Sequence, residues 1–297
     1  MSDLYQFQFL AMGGQNELRL YADNKEYARE IAKNAIDEIL RIEKTYSRYR
    51  PESLMSQINS LAGKSAVSID AEAVHLFQVA DYWHQTSNGL FDISSGVLRK
   101  IWDFASGIPP SDLKIKEYLK LVNWKSVYFS GQEIGIPNVG MELDLGGIAK
   151  EYAVDRATQI LQEQGITSGL VNLGGDIRVL GPHLDGTPWA VQIAHPRVMG
   201  AVLATINIAQ GALTTSGDYI RFMDVAGKRY SHILNPKTGY PVSYWQSATA
   251  LAPLCLSAGH ASTYAMLLES SAQDALDQLK IQYLLVGPTG EIIQNLA

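Results

Sequence analysis

Two glycines end a strand-like run and open a helix-like one in Leu143-Asp144-Leu145-Gly146-Gly147-Ile148-Ala149-Lys150-Glu151. Such a turn exposes backbone N–H groups at the positive end of a helix, where a phosphate is well received. Lys150, in the first helical turn, adds a cation within reach of a diphosphate. The plainer reading is a tight strand-to-helix turn with a solvated lysine, because an isolated Gly-Gly pair is weak evidence of a ligand.

Other runs carry chemistry less sharply. Val171-Asn172-Leu173-Gly174-Gly175-Asp176-Ile177-Arg178 reads first as a hairpin. The hydroxyls and amides of Thr214-Thr215-Ser216-Gly217-Asp218-Tyr219 suit either a polar pocket or an ST-turn. The run from Tyr230 to Pro241 packs His232, Lys237, two prolines and Gly239 together, which is odd for a structural loop. His232 can carry a proton or donate to a phosphate; the competing reading is a histidine bonded within its own turn. His75, His84, His183 and His195 fall in no partner pattern and read as structural or surface residues. Cys255 stands alone, so neither an internal disulfide nor a thiolate metal cluster can form. There is no P-loop, no G-x-G-x-x-G after a strand, no H-E-x-x-H and no G-x-S-x-G elbow.

These residues need a scaffold. Alternation predicts two strands, YQFQFLAM and ELRLYAD, around Gly13-Gly14. A long helix follows, capped by Asp23 or Asn24, with Ala28, Ile31, Ala32, Ala35, Ile39 and Ile42 on one face. Pro51 disfavours helix at Arg50 and ends it. Shorter helices are expected over 53–61 and over 71–86, the latter capped by Asp70 and stopped by Asn88-Gly89. Beyond Gly107, strand-like pieces (SVYFS, GMELDL, SGLVNL, IRVLG, WAVQIA, AVLATINIA) surround one long helix over 148–164. A strand at SATALAP, a helix over 257–269, a second helix and the strand QYLLVG complete the chain. Helices and antiparallel strands in separate blocks predict an α+β fold, as a single domain over residues 1–297 or two interlocked subdomains.

Composition narrows the partners. A formal charge of −6 with no basic stripe excludes nucleic acid as the main partner. No apolar run approaches the ~20 residues that span a bilayer. The amino terminus shows no basic n-region, apolar core or cleavage site, so a cytoplasmic protein is expected.

Taken in order, these runs resemble the ApbE family, the FAD:protein FMN transferases. The resemblance extends over Ala11-Met12-Gly13, Tyr46 to Ser53 with Asn59, Gly89-Leu90-Phe91-Asp92-Ile93 and LDLGGIAKEYAVD. It continues through GLVNLGGDIRVLG, Trp189 to Arg197, TTSGDY and YSHILNPKTGYPV. It implies mixed and antiparallel sheets with flanking helices and a flavin cleft, in which FAD is the substrate and a magnesium ion bridges its diphosphate. FMN then passes to a Thr or Ser hydroxyl of an acceptor flavoprotein, and AMP is released. By motif position, Met12, Tyr49, Leu90, Phe91, Asp92, Asp144, Lys150 and Ile233 contact FAD. His232 and Lys150 are the catalytic candidates, and Gly147 and Thr263 bind the metal.

One position departs from the family. Its carboxy-terminal metal segment usually reads like E-A-D-A-L-A-T-A-L, and this chain has Ser257-Ala258-Gly259-His260-Ala261-Ser262-Thr263-Tyr264-Ala265. Thr263 keeps the threonine ligand, and Gly259 replaces the aspartate. A hard cation then lacks its charged ligand on this helix. The alternative to a transferase is therefore an FAD-binding protein without turnover.

Overall fold

A computed structural model describes residues 2–296. Strands β1 (Asp3–Ala11) and β2 (Gly14–Ala22) form the expected hairpin. Helix α1 (Lys25–Tyr46) starts at Asn24, whose side chain accepts from the Tyr27 N–H, and all six residues named for its apolar face are buried. Helices α2 (Leu54–Ser60) and α3 (Ala71–Thr86) are capped by Ser53 and Asp70. Between them lies β3 (Val67–Ser68). Helix α4 (Asp112–Leu119) comes next, a short helix apart from the one long helix that the patterning beyond Gly107 predicts. Strands β4 (Tyr128–Phe129) and β5 (Glu133–Gly135) join β3 in a small sheet.

The second half begins with α5 (Ala149–Glu163) and the hairpin of β6 (Gly169–Leu173) and β7 (Asp176–Gly181). Strands β8 (Trp189–Ala194) and β9 (Val202–Ile208) form another hairpin. Strand β10 (Gly211–Gly217) precedes a short ribbon of β11 (Phe222–Val225) and β12 (Lys228–Ser231). The chain closes with β13 (Ser247–Ala252), α6 (Cys255–Leu268), α7 (Ala272–Gln278), β14 (Gln282–Val286) and β15 (Ile292–Asn295).

Eight strands make one antiparallel sheet in the order β1-β2-β6-β7-β10-β13-β14-β15. The fold is α+β, as the block arrangement predicted. Alternation along the strands splits the core. Leu18, Leu20, Val171 and Leu173 pack with the apolar faces of α1 and α5, whereas Leu170, Ile177, Val179 and Leu213 pack with Trp189, Val191 and Ile206 of the β8–β9 hairpin. Among the described residues no helix is long and apolar enough to cross a membrane.

Two local expectations fail for physical reasons. GMELDL belongs to no sheet, and at Leu143 the Asn59 side chain takes the place of a neighbouring strand. Its amide donates to the Leu143 carbonyl at 3.0 Å and its carbonyl accepts from the Leu143 N–H at 2.8 Å. Thr214 to Gly217 are no turn but the end of β10, paired with β13 from Ala250 to Ser247.

Candidate functional site

Met12, Tyr49, Leu90, Phe91, Asp92, Asp144, Gly147, Lys150, His232, Ile233 and Thr263 all line one cavity of about 910 Å³. That is a volume typical of small-molecule sites. The sequence scatters these residues; the fold brings every one of them to the same cleft.

Each is held by its own local device. Met12 sits in the β1–β2 turn at φ 54°, a left-handed conformation that side chains adopt at a cost. The buried Asn16 side chain clamps that turn by donating to the carbonyls of Ala11 and Gly14 at 2.8 and 3.0 Å. Asn88 and Gly89, both at positive φ, end α3, and the Gly89 N–H returns to the His84 carbonyl. The following Leu90-Phe91-Asp92 is then pinned by Ser87, whose hydroxyl accepts from the Phe91 N–H at 2.8 Å. The Asp92 carboxylate is already committed: it accepts from the Ser94 N–H and hydroxyl and lies 3.5 Å from His84 Nδ1. Asp144 accepts from the Gly146 N–H at 2.9 Å and from Arg48 at 3.2 Å, so its carboxylate shapes the glycine turn. Tyr49, next to Arg48, is largely exposed at the rim.

The floor holds three charges from adjacent elements. Lys150 Nζ lies 2.7 Å from Asp176 Oδ2, near enough for an ion pair though not directed as a hydrogen bond. Burial works against the Lys150 ammonium, but Asp176 and Glu151 outweigh it and hold its pKa above the usual lysine value. Glu151 is buried on α5, and burial, reinforced by the charge of Asp176, pushes its carboxyl up to about 7. Its Oε2 has no hydrogen-bond partner.

His232 is fixed as a neutral ring. Burial first, and then the charge of Arg99, lower its pKa from 6.5 to about 4. Its Nδ1 lies 3.1 Å from the Arg221 carbonyl, which can only accept, so Nδ1 carries the hydrogen and Nε2 keeps a lone pair. The partner is on a separate segment rather than in the histidine's own turn.

A family model described as the ApbE family matches residues 12–285. The chain belongs to the ApbE family. Two relatives within it bear the name FAD:protein FMN transferase. The Treponema pallidum protein is 30% identical over 90% of this chain and 82% of its own length, and the Klebsiella pneumoniae protein is 30% identical over 82% and 76%. Among solved structures, the ApbE protein of Thermotoga maritima superposes with a TM-score of 0.90 at 30% identity, covering 99% of this chain and 97% of that one.

Against the ApbE family pattern, Gly259 has a structural explanation that lies on another helix. A Cβ atom at Gly259 would stand 2.5 Å from Glu151 Cγ and 3.0 Å from Glu151 Oε1. The space beside α6 where the family's aspartate was expected holds the Glu151 side chain. Thr263, four residues on, closes a chain of hydroxyls: Ser216 lies 3.2 Å from Thr263 and 2.9 Å from Ser262. His260 points elsewhere, stacked on Trp83 at 4.2 Å.

Glu151, Asp176 and Asp155 were not singled out from sequence. For Glu151 a signal existed: it shares the buried stripe of α5 with Val154 and Thr158, at i+3 and i+7. A carboxylate on such a stripe demands a partner. Asp155 gives no such signal. It accepts from the N–H groups of Cys255 and Leu256 at 2.9 Å each and so caps α6 from a different helix.

Proposed function

We propose that this protein is an FAD:protein FMN transferase. The observation that carries the reading is the convergence of all the family-implied site residues, from Met12 to Thr263, on one cavity. FAD is the ligand, with its diphosphate beside the Gly146-Gly147 turn and the Lys150 ammonium. The protein partner is an acceptor flavoprotein presenting a Thr or Ser hydroxyl.

In the reaction, the acceptor's hydroxyl oxygen bonds to the phosphorus on the FMN side of the diphosphate. The bridging P–O bond breaks and AMP departs with the bridge oxygen. The hydroxyl proton needs a base, and Nε2 of neutral His232 offers one. Phosphoryl transfer otherwise asks little covalent chemistry of a protein, so position and charge neutralisation dominate. Lys150 neutralises part of the diphosphate, and Asp144 holds the glycine turn in shape.

Magnesium fits the corner between Gly147 and Thr263. Hard cations take oxygen ligands, here a main-chain carbonyl and a hydroxyl, and the buried Glu151 Oε2 is an oxygen without a partner. Bound there, the ion would neutralise further phosphate charge. Among the described residues no group of three or more His, Cys, Asp or Glu side chains is placed to hold a metal, so a mixed oxygen set is what this chain offers. The reading of a silent FAD-binding protein rested on Gly259; the Glu151 carboxylate in the same space favours turnover instead.

The test is AMP release. Incubated with FAD, magnesium and a flavin-acceptor domain, the protein is expected to liberate AMP in step with covalent flavin. Unchanged FAD after long incubation, with the acceptor folded and present, would contradict the proposal.

A further inference from the structure

Three observations around Glu151 bear on one another. The first is a charge imbalance. Among the described residues Lys150 is the cation set against two buried carboxylates, Asp176 and Glu151, and it lies 2.7 Å from Asp176. Arg178, the next cation along β7, is engaged with Asp155 at 2.7 Å. A buried carboxylate is costly to leave without a counter-charge or a metal. Glu151 shares the single Lys150 charge with Asp176, and its Oε2 accepts from no donor.

The second is shape. Glu151 occupies the volume beside Gly259 that any side chain there would need, with its Cγ 2.5 Å from the glycine's missing Cβ. Gly259 and Thr263 are four residues apart on α6 and share a face. Glu151 therefore covers the same helical face from which Thr263 reaches the cavity, and both line that cavity.

The third is register. Asp155, one turn beyond Glu151 on α5, accepts from the N–H groups of Cys255 and Leu256 at the start of α6. Residue 155 thus meets 255 and residue 151 meets 259, equal steps along two helices running in opposite directions. The cap that fixes α6 to α5 also fixes Glu151 against Gly259.

Resting on the transferase reading above, we infer that Glu151 is the carboxylate ligand of a divalent cation in this protein, delivered from α5 in place of a carboxylate on α6. The glycine at 259 is then the space that lets Glu151 in, and the site keeps one charged oxygen with a different origin in the chain.

The test measures cation binding and does not depend on turnover. Mn2+ is titrated into the full-length protein, with and without FAD, and the free ion is followed by electron paramagnetic resonance. Three chains are compared: the unaltered protein, Glu151→Gln, and the double variant Glu151→Gly with Gly259→Asp. Thermal melts establish that each is folded. Glu151→Gln keeps the shape and removes the charge, and is expected to weaken Mn2+ binding by more than the ~10–100-fold that losing even an outer-shell partner costs. The double variant moves the carboxylate to α6 and is expected to bind within about tenfold of the unaltered protein, less than the lower end of that loss. Mg2+ should displace Mn2+ from both binding forms. Equal Mn2+ affinity in the unaltered and Glu151→Gln proteins would overturn the inference, as would a folded double variant that binds no better than Glu151→Gln. Failure of FAD to bind would instead count against the transferase reading, and the Glu151 dependence would still be scored in the titrations without FAD.

Discussion

Gly259 and Glu151 touch across two helices so closely that a methyl group at 259 would lie 2.5 Å from the glutamate's Cγ. Gly259 is therefore a packing requirement, and its helix-breaking tendency is tolerated because nothing larger fits. Gly259→Ala is expected to destabilise the protein by about 1–3 kcal/mol, the usual cost of overpacking. In a Glu151→Ala background the same change is expected to reverse sign and stabilise by about 1 kcal/mol, since alanine is the better helix former. Urea denaturation of the four proteins measures this; two equal effects would show that the pair does not interact.

Lys150 is also part of a buried ion pair. Its partner Asp176 is buried beside Glu151, so Lys150→Ala leaves two carboxylates with no adjacent cation. Breaking a buried pair from one side costs about 3–5 kcal/mol, and the partial exposure of Lys150 places this case near the lower end. Lys150→Ala with Asp176→Asn is expected to regain most of that stability while FAD affinity stays low. A single variant as stable as the unaltered protein would return the lysine to a solvated role.

Met12 tests whether a strained turn serves the ligand. Its left-handed φ of 54° costs about 1–2 kcal/mol that glycine would avoid. Met12→Gly is expected to raise the melting temperature slightly and to weaken FAD binding, measured by quenching of flavin fluorescence. Unchanged affinity would remove Met12 from the site.

His260 offers a pH readout separate from the charges of the cavity. Burial against Trp83, Phe91 and Tyr264 lowers its pKa from 6.5 to about 4. The unfolded chain takes up this proton as pH falls through about 6.5, whereas the folded ring waits until about 4. Unfolding therefore binds one extra proton in that window, and stability is lost as the pH drops across it. His260→Phe keeps the aromatic stack and removes the titration. Its unfolding free energy between about pH 6.5 and 4 is expected to fall less steeply, by about 1.4 kcal/mol per pH unit. Parallel curves for the two proteins would place the proton elsewhere.

The extent to which the sequence announced this arrangement follows from where the deciding partners lie. Helix α3 was legible to the residue because its signals are local: Asp70 caps it and Asn88-Gly89 turns the chain away. The residues that meet in the cavity could be picked out because each stands in a compact motif, such as the Gly146-Gly147 turn, that survives being read alone. GMELDL was misread because its hydrogen-bond partner is the side chain of Asn59, which no alternation pattern encodes. Gly259 drew notice for what it lacks, yet its meaning lies in Glu151, far earlier in the chain on another helix. The α5 periodicity could have marked Glu151 as buried, but only the crossing of α5 and α6, set by the Asp155 cap, names what it is buried against.

The central claim is that FMN is transferred intact to a protein hydroxyl, and intact mass spectrometry of the acceptor reads it directly. After incubation with FAD and magnesium, the acceptor domain is expected to gain the mass of one FMN less one water, on a single Thr or Ser. His232→Ala is expected to slow that gain far more than it weakens FAD binding. An acceptor of unchanged mass, from a protein shown to have bound FAD and the cation, would contradict the account.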